Sequence, residues 1–109
     1  MTKLLKIFIE TLPIFLGTFL SYLFWQNNIL LFIIYFVLTL GLIYFHKDKT
    51  EFIVLLYGIL IGIIVEVIGT QISGYQTFTK PDFGGIPIWL PITWGYGFVA
   101  MKRIGFIIK

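Results

Sequence analysis

Four long apolar runs, separated only by short polar or charged breaks, leave this chain very few ways to fold. They cover about residues 4–25, 29–45, 52–73 and 86–104. The first three are 17 to 22 residues long, close to the roughly 20 that a helix needs to cross about 30 Å of hydrocarbon. Backbone N–H and C=O groups in lipid must be paired within the segment, which selects helices over strands. With 59% hydrophobic and 12% charged residues in 109, a water-soluble domain could not hide this much apolar surface. The expectation is an all-α integral membrane bundle of four transmembrane helices, forming a single domain over residues 1–109.

Charge placement predicts orientation. Lys3, Lys6, Lys47, Lys49, Lys102, Arg103 and Lys109 fall on one side of such a bundle and Lys80 alone on the other. A bias of seven against one over short loops places both termini in the cytoplasm. Trp25 and Trp89 then lie at the outer interface. This distribution, a +3 net charge included, is a topology signal and not a nucleic-acid footprint. The bias is of prokaryotic style, so a multi-pass protein of the plasma (inner) membrane is expected. The basic, apolar start (MTKLLKIFIETLPIFLGTFL) lacks a small-residue cleavage site and is interrupted by Glu10 and Pro13, so it is taken as a retained helix.

The third run contains a carboxylate. Gly58, Gly62, Glu66, Gly69 and Ser73 fall within roughly 80° at about 100° per residue, marking a helix-packing face. Gly58 and Gly62 form a G-x-x-x-G, a spacing for close helix approach and a candidate homo-oligomer contact. Glu66 lies roughly 21 Å from the start of its helix and Trp94 roughly 12 Å from the start of the fourth run, so the two share a depth at which the indole N–H can donate to the carboxylate. A charge there costs about 2.5–3.5 kcal/mol unless paired, hydrated or protonated. Glu66 is therefore both a candidate catalytic acid and a candidate for interhelical hydrogen bonding. Trp94, Tyr75, Tyr96 and Pro91 are the candidate ligand-binding residues of an apolar cleft beside it.

The remaining signals are weaker. Glu10 follows Lys6 by one helical turn, which a surface ion pair explains. Pro87 and Pro91 cap the start of the fourth helix, with Lys102 and Arg103 snorkelling to the headgroups. The segment Gly74–Gly85 is either a cap over a site between helices or a mobile external loop. One His (His46) and no Cys give no metal-binding spacing, so no metal and no cofactor are expected.

Glu66-Val-Ile-Gly-Thr70 resembles the glutamate motif of small multidrug resistance transporters, although that motif sits on the first helix there and on the third here. More of the chain is covered by a second resemblance. An acidic residue on one helix, a Gly-x-x-Tyr-like exit, the run Gly85-Ile-Pro-Ile-Trp-Leu-Pro-Ile-Thr-Trp-Gly95 and then Lys102-Arg103 resemble a group of small integral membrane proteins. This last stretch is distantly similar to the carotenoid-biosynthesis hydratases and lycopene cyclases. That similarity implies a membrane carboxylate, Glu66, acting on an isoprenoid chain. The function classes that follow are binding or modification of an isoprenoid-type membrane lipid, an oligomeric transporter component carrying protons or cations through Glu66, or a non-catalytic membrane assembly module.

Overall fold

The computed structural model describes residues 2–74 and 76–109. Tyr75, one of the candidate ligand residues, lies outside them. Helix α1 spans Lys3–Phe24, α2 Asn28–His46, α3 Thr50–Val67 and α4 Leu90–Ile108, and no strand is present among the described residues. Of these, α1, α2 and α3 with its continuation to Ile72 are long and apolar enough to cross a membrane. The long axis of the bundle measures 43 Å, matching the about 40–45 Å of a bilayer with its headgroup regions.

Local chemistry sets the helix ends. Thr2 caps α1 by accepting from the Leu5 N–H at 3.2 Å, and Asn27 caps α2 by accepting from the Leu30 N–H at 3.1 Å. Helix α2 stops at Lys47, whose left-handed φ of 61° turns its N–H back to the carbonyls of Ile43 and Tyr44. After Val67 the third helix widens into a π-helical turn, Ile68–Ile72, closed by the Ser73 N–H donating to the Ile68 carbonyl at 2.8 Å. That wider turn changes the register expected from Gly58. Gly69 remains buried, but Ser73 is exposed and makes no packing face.

The fourth helix begins at Leu90 instead of 86. Pro87 precedes it in a turn, where its carbonyl accepts from the Leu90 N–H at 3.1 Å. Only Pro91 lies in the first helical turn, where an N–H has no intrahelical partner to lose. Helix α4 is the most enclosed, with seven buried residues against none on α1. This explains its composition. The buried face of α4 meets protein and not lipid, so Gly95 and Tyr96 are tolerated there, while Met101, Phe106 and Ile108 near its end are exposed. The large apolar side chains of α1, α2 and α3 are instead widely exposed, which suits a hydrocarbon solvent.

The core follows the α3–α4 seam. Ile43, Leu55, Tyr96, Val99 and Ala100 pack at the basic end, which carries His46 and Arg103. Leu31, Tyr35 and Ile92 pack at the opposite, loop end. Close approach is made by glycine. A Cβ at Gly58 would stand 2.8 Å from the Gly95 Cα, one at Gly95 would stand 2.8 Å from the Leu55 carbonyl oxygen, and the Trp94 side chain occupies the space over Gly62. The G-x-x-x-G face is thus filled by α4 of the same chain.

Candidate functional site

The Glu66 carboxylate is held by two donors. Trp94 Nε1 donates to Oε1 at 3.1 Å, and Gln76 Nε2 donates to Oε2. The nearby Thr70 hydroxyl sits between the Glu66 carbonyl at 3.0 Å and the Gly84 carbonyl at 2.9 Å. These bonds fasten the 76–89 segment across the loop end of α3. At Gly84 and Gly85 the chain turns with φ of 52° and 81°, and a side chain at Gly85 would collide with Thr70 and Gln71. The loop is also tied to α2. Asn28 Nδ2 donates to the Lys80 carbonyl at 2.5 Å and to Asp82 Oδ2 at 2.9 Å, while Trp89 Nε1 donates to Asn28 Oδ1 at 3.1 Å. Asp82 Oδ2 in turn accepts from the Ile88 N–H at 2.7 Å. The segment is therefore a fastened cap and not a free external loop.

Among the described residues, the expected ligand residues Trp94, Tyr96 and Pro91 do not converge. Trp94 and Tyr96 are two positions apart on α4, roughly 200° around the helix, and so face opposite ways. Trp94 faces α3 and Glu66. Tyr96 lines a half-enclosed cleft of about 890 Å³ between α1, α2 and α4, in which neither Glu66, Trp94 nor Pro91 takes part. Its walls are mostly apolar, with Leu16, Leu38, Leu42 and Ile92 among them, and its polar side chains include Thr18, Ser21, Tyr35, Thr39, Thr93 and Tyr96. Gly97 also borders it, and a Cβ there would meet nothing within 4 Å.

Helix α1 forms the outer wall and is pinned at two levels. Near the loop end the Tyr35 hydroxyl donates to the Gly17 carbonyl at 2.5 Å and pairs with the Ser21 hydroxyl. Near the basic end Glu10 Oε2 lies 3.6 Å from Arg103 Nη1. Glu10 thus faces Arg103 of α4, correcting the expected surface pair with Lys6. Between these pins Pro13, without an N–H, leaves the Ile9 carbonyl lacking its usual i+4 donor. Ile9 and Pro13 both border the cleft.

The basic end also holds an ion-pair network absent from the sequence expectations. Glu51 is fully buried, and Arg103 is 7% exposed. Arg103 Nη2 donates to Glu51 Oε1 at 2.6 Å and Nε to Oε2 at 2.9 Å, the bidentate geometry that favours Arg over Lys. Arg103 Nη2 also donates to the Leu42 carbonyl at 3.1 Å, linking α2, α3 and α4. Lys102 Nζ lies 2.7 Å from Asp48 Oδ2 and 3.4 Å from Glu51 Oε2. Arg103 is consequently buried and paired, where snorkelling to headgroups was expected. Bonding to the Lys102 ammonium holds the Asp48 carboxyl, in the α2–α3 turn, well below the usual carboxylate range. His46, Asp48 and Glu51 also draw together, yet their carboxylates already face Lys102 and Arg103.

The chain matches no protein-family model, no curated protein and no solved structure.

Proposed function

We propose that this chain is a four-span membrane protein, both termini cytoplasmic, that binds the hydrocarbon chain of a membrane lipid in the cleft between α1, α2 and α4. The carrying observation is the cleft itself: about 890 Å³ of mostly apolar wall, bounded by helices whose other faces are apolar. Pockets of this size and character bury most of a bound apolar molecule. Acyl and isoprenoid chains share the required shape and apolarity. Glu66 serves this function structurally, since Trp94 and Gln76 hold both carboxylate oxygens and tie the cap to the bundle. That arrangement favours a binding protein over an enzyme acting through Glu66 and over a proton carrier.

The chain has no Cys, so a single introduced thiol reports cleft occupancy. In delipidated detergent-solubilised Gly97→Cys, added lipid is expected to slow maleimide labelling saturably. Gly105→Cys, at an exposed position of the same helix with open space around it, should show no such protection. Equal labelling kinetics at both positions, with and without lipid, would contradict the proposal.

A further inference from the structure

We infer that the cavity at the basic end of the bundle binds the phosphate of an anionic lipid head, with Lys6 as its principal counter-charge. This goes beyond the chain-binding cleft and does not require that cleft to be occupied. The cavity measures about 490 Å³ and lies between the first turns of α1, the α2–α3 turn and the last turns of α4. Lys6, His46, Lys102 and Arg103 supply its basic wall, and Ile9, Phe106 and Ile107 its apolar one. Glu10 and Asp48 complete the lining.

The charges there are unequally matched. Asp48 is engaged by Lys102 at 2.7 Å, Glu51 by Arg103 at 2.6 Å, and Glu10 faces Arg103 at 3.6 Å. Both carboxylates of the cavity wall therefore already have a cation. Lys6 is exposed and belongs to no ion pair among the described residues. Lys3, Lys47, Lys49 and Lys109 lie at the same end. Seven basic side chains thus stand against Glu10, Asp48 and Glu51, leaving the region at 7 − 3 = +4 with His46 neutral. What the cavity lacks is an anion.

The guanidinium also has free donors. Arg103 Nε and Nη2 donate to Glu51 and the Leu42 carbonyl, whereas Nη1 makes no hydrogen bond among the described residues and meets Glu10 Oε2 only at 3.6 Å. Arg103 is 7% exposed, so these N–H groups belong to a buried cation that borders the cavity. A phosphate accepts from guanidinium and ammonium donors alike. Position selects a phosphate carried by a lipid. In a bundle 43 Å long the ends fall at headgroup level, where basic pockets between membrane helices take phosphorylated heads. Ile9, Ile107 and the 79% exposed Phe106 offer the first methylenes of a lipid an apolar surface that free phosphate would not use.

Lysine footprinting of the intact chain in detergent tests this. Acetylation of Lys6 and Lys49 is followed by peptide mass spectrometry with dioleoylphosphatidylglycerol, dioleoylglycerol or inorganic phosphate added. Lys49 is an exposed basic residue of the same end that does not border the cavity, and dioleoylglycerol has the same chains without the phosphate. Phosphatidylglycerol is expected to slow Lys6 acetylation saturably, ~5-fold at about four times its Kd. Lys49 should keep its rate, and neither dioleoylglycerol nor inorganic phosphate should protect Lys6. Equal slowing at Lys6 and Lys49 would mean diffuse surface attraction and overturn the site, as would equal protection of Lys6 by dioleoylglycerol. Inorganic phosphate matching phosphatidylglycerol at equal concentration would overturn the lipid source and reassign the cavity to free phosphate. No slowing by any of the three overturns the head site, while occupancy of the apolar cleft, read separately at Gly97→Cys, is untouched by that result.

Discussion

Neutralising Glu51 should be among the most destabilising single changes in this protein. Its carboxylate is 0% exposed and makes a two-point contact with a guanidinium that is itself 7% exposed. Glu51→Gln keeps the shape and removes the charge. Arg103 would then keep one neutral amide acceptor at position 51, the Leu42 carbonyl at 3.1 Å, and the Glu10 carboxylate at 3.6 Å as its one remaining counter-charge within 4 Å among the described residues. Removing one partner of a buried pair costs about 3–5 kcal/mol, mainly because the surviving charge stays desolvated. Arg103→Met should cost less, since Glu51 keeps Lys102 at 3.4 Å and His46 at 3.6 Å. The double variant Glu51→Leu/Arg103→Met removes both charges and should be less destabilised than Glu51→Gln alone, because apolar replacement of a whole buried pair is often neutral or better. Unfolding by SDS in mixed micelles, followed by circular dichroism, measures all three. If Glu51→Gln costs under ~1 kcal/mol and the double variant is the less stable of the two, the pair is solvated and the burial reasoning is wrong.

Three further outcomes follow from the geometry. Because bonding to Lys102 depresses the Asp48 carboxyl, its contribution to stability is complete above the unfolded value of about 3.9 and is lost only as pH falls through the lower folded value. Lys102→Met should bring its NMR titration back toward that ordinary value, and an unchanged titration would rule the pairing out. Gly62→Ala places a methyl group against the Trp94 side chain and should cost about 1–3 kcal/mol in the same SDS assay, whereas Gly97→Ala, with open space around it, should cost little. Glu66→Gln keeps an acceptor for Trp94 Nε1, so stability should change by less than ~1.5 kcal/mol, while Trp94→Phe, which strips away that donor, should loosen the cap and expose Gln76 to faster hydrogen exchange.

The sequence and the structure part ways for identifiable reasons. The pairing of Glu66 with Trp94 was legible because helical rise sets depth on both helices and a short connection makes them neighbours. The Glu51–Arg103 pair escaped because a basic pair at the end of an apolar run resembles an interfacial anchor. A signal was nevertheless present. Glu51 lies seven residues before Gly58, within the same roughly 80° stripe, and Ile92, Tyr96, Val99 and Arg103 make an equally narrow stripe on α4. Extending each packing face to its end would have brought the two charges together. Ser73 fell off its expected face because the π-helical turn breaks the 3.6-residue register, and nothing in Ile68–Ile72 announces that turn. The apolar cleft lies on the side of α4 away from Glu66 for a related reason. Trp94 and Tyr96 are close in sequence but face opposite sides of α4, and only the packing of α1 reveals which side is open.

Whether the cleft holds a lipid chain is tested most directly by native mass spectrometry of the protein released from mild detergent, wild type beside Gly97→Leu. The substituted side chain would enter the cleft from a position where it meets no protein atom within 4 Å of its Cβ, so it should displace ligand without disturbing the bundle. The account predicts a discrete lipid adduct of one stoichiometric molecule on wild type that survives activation, and its loss from a Gly97→Leu protein of unchanged helicity. A graded series of bulk phospholipid adducts, the same on both proteins, would contradict it.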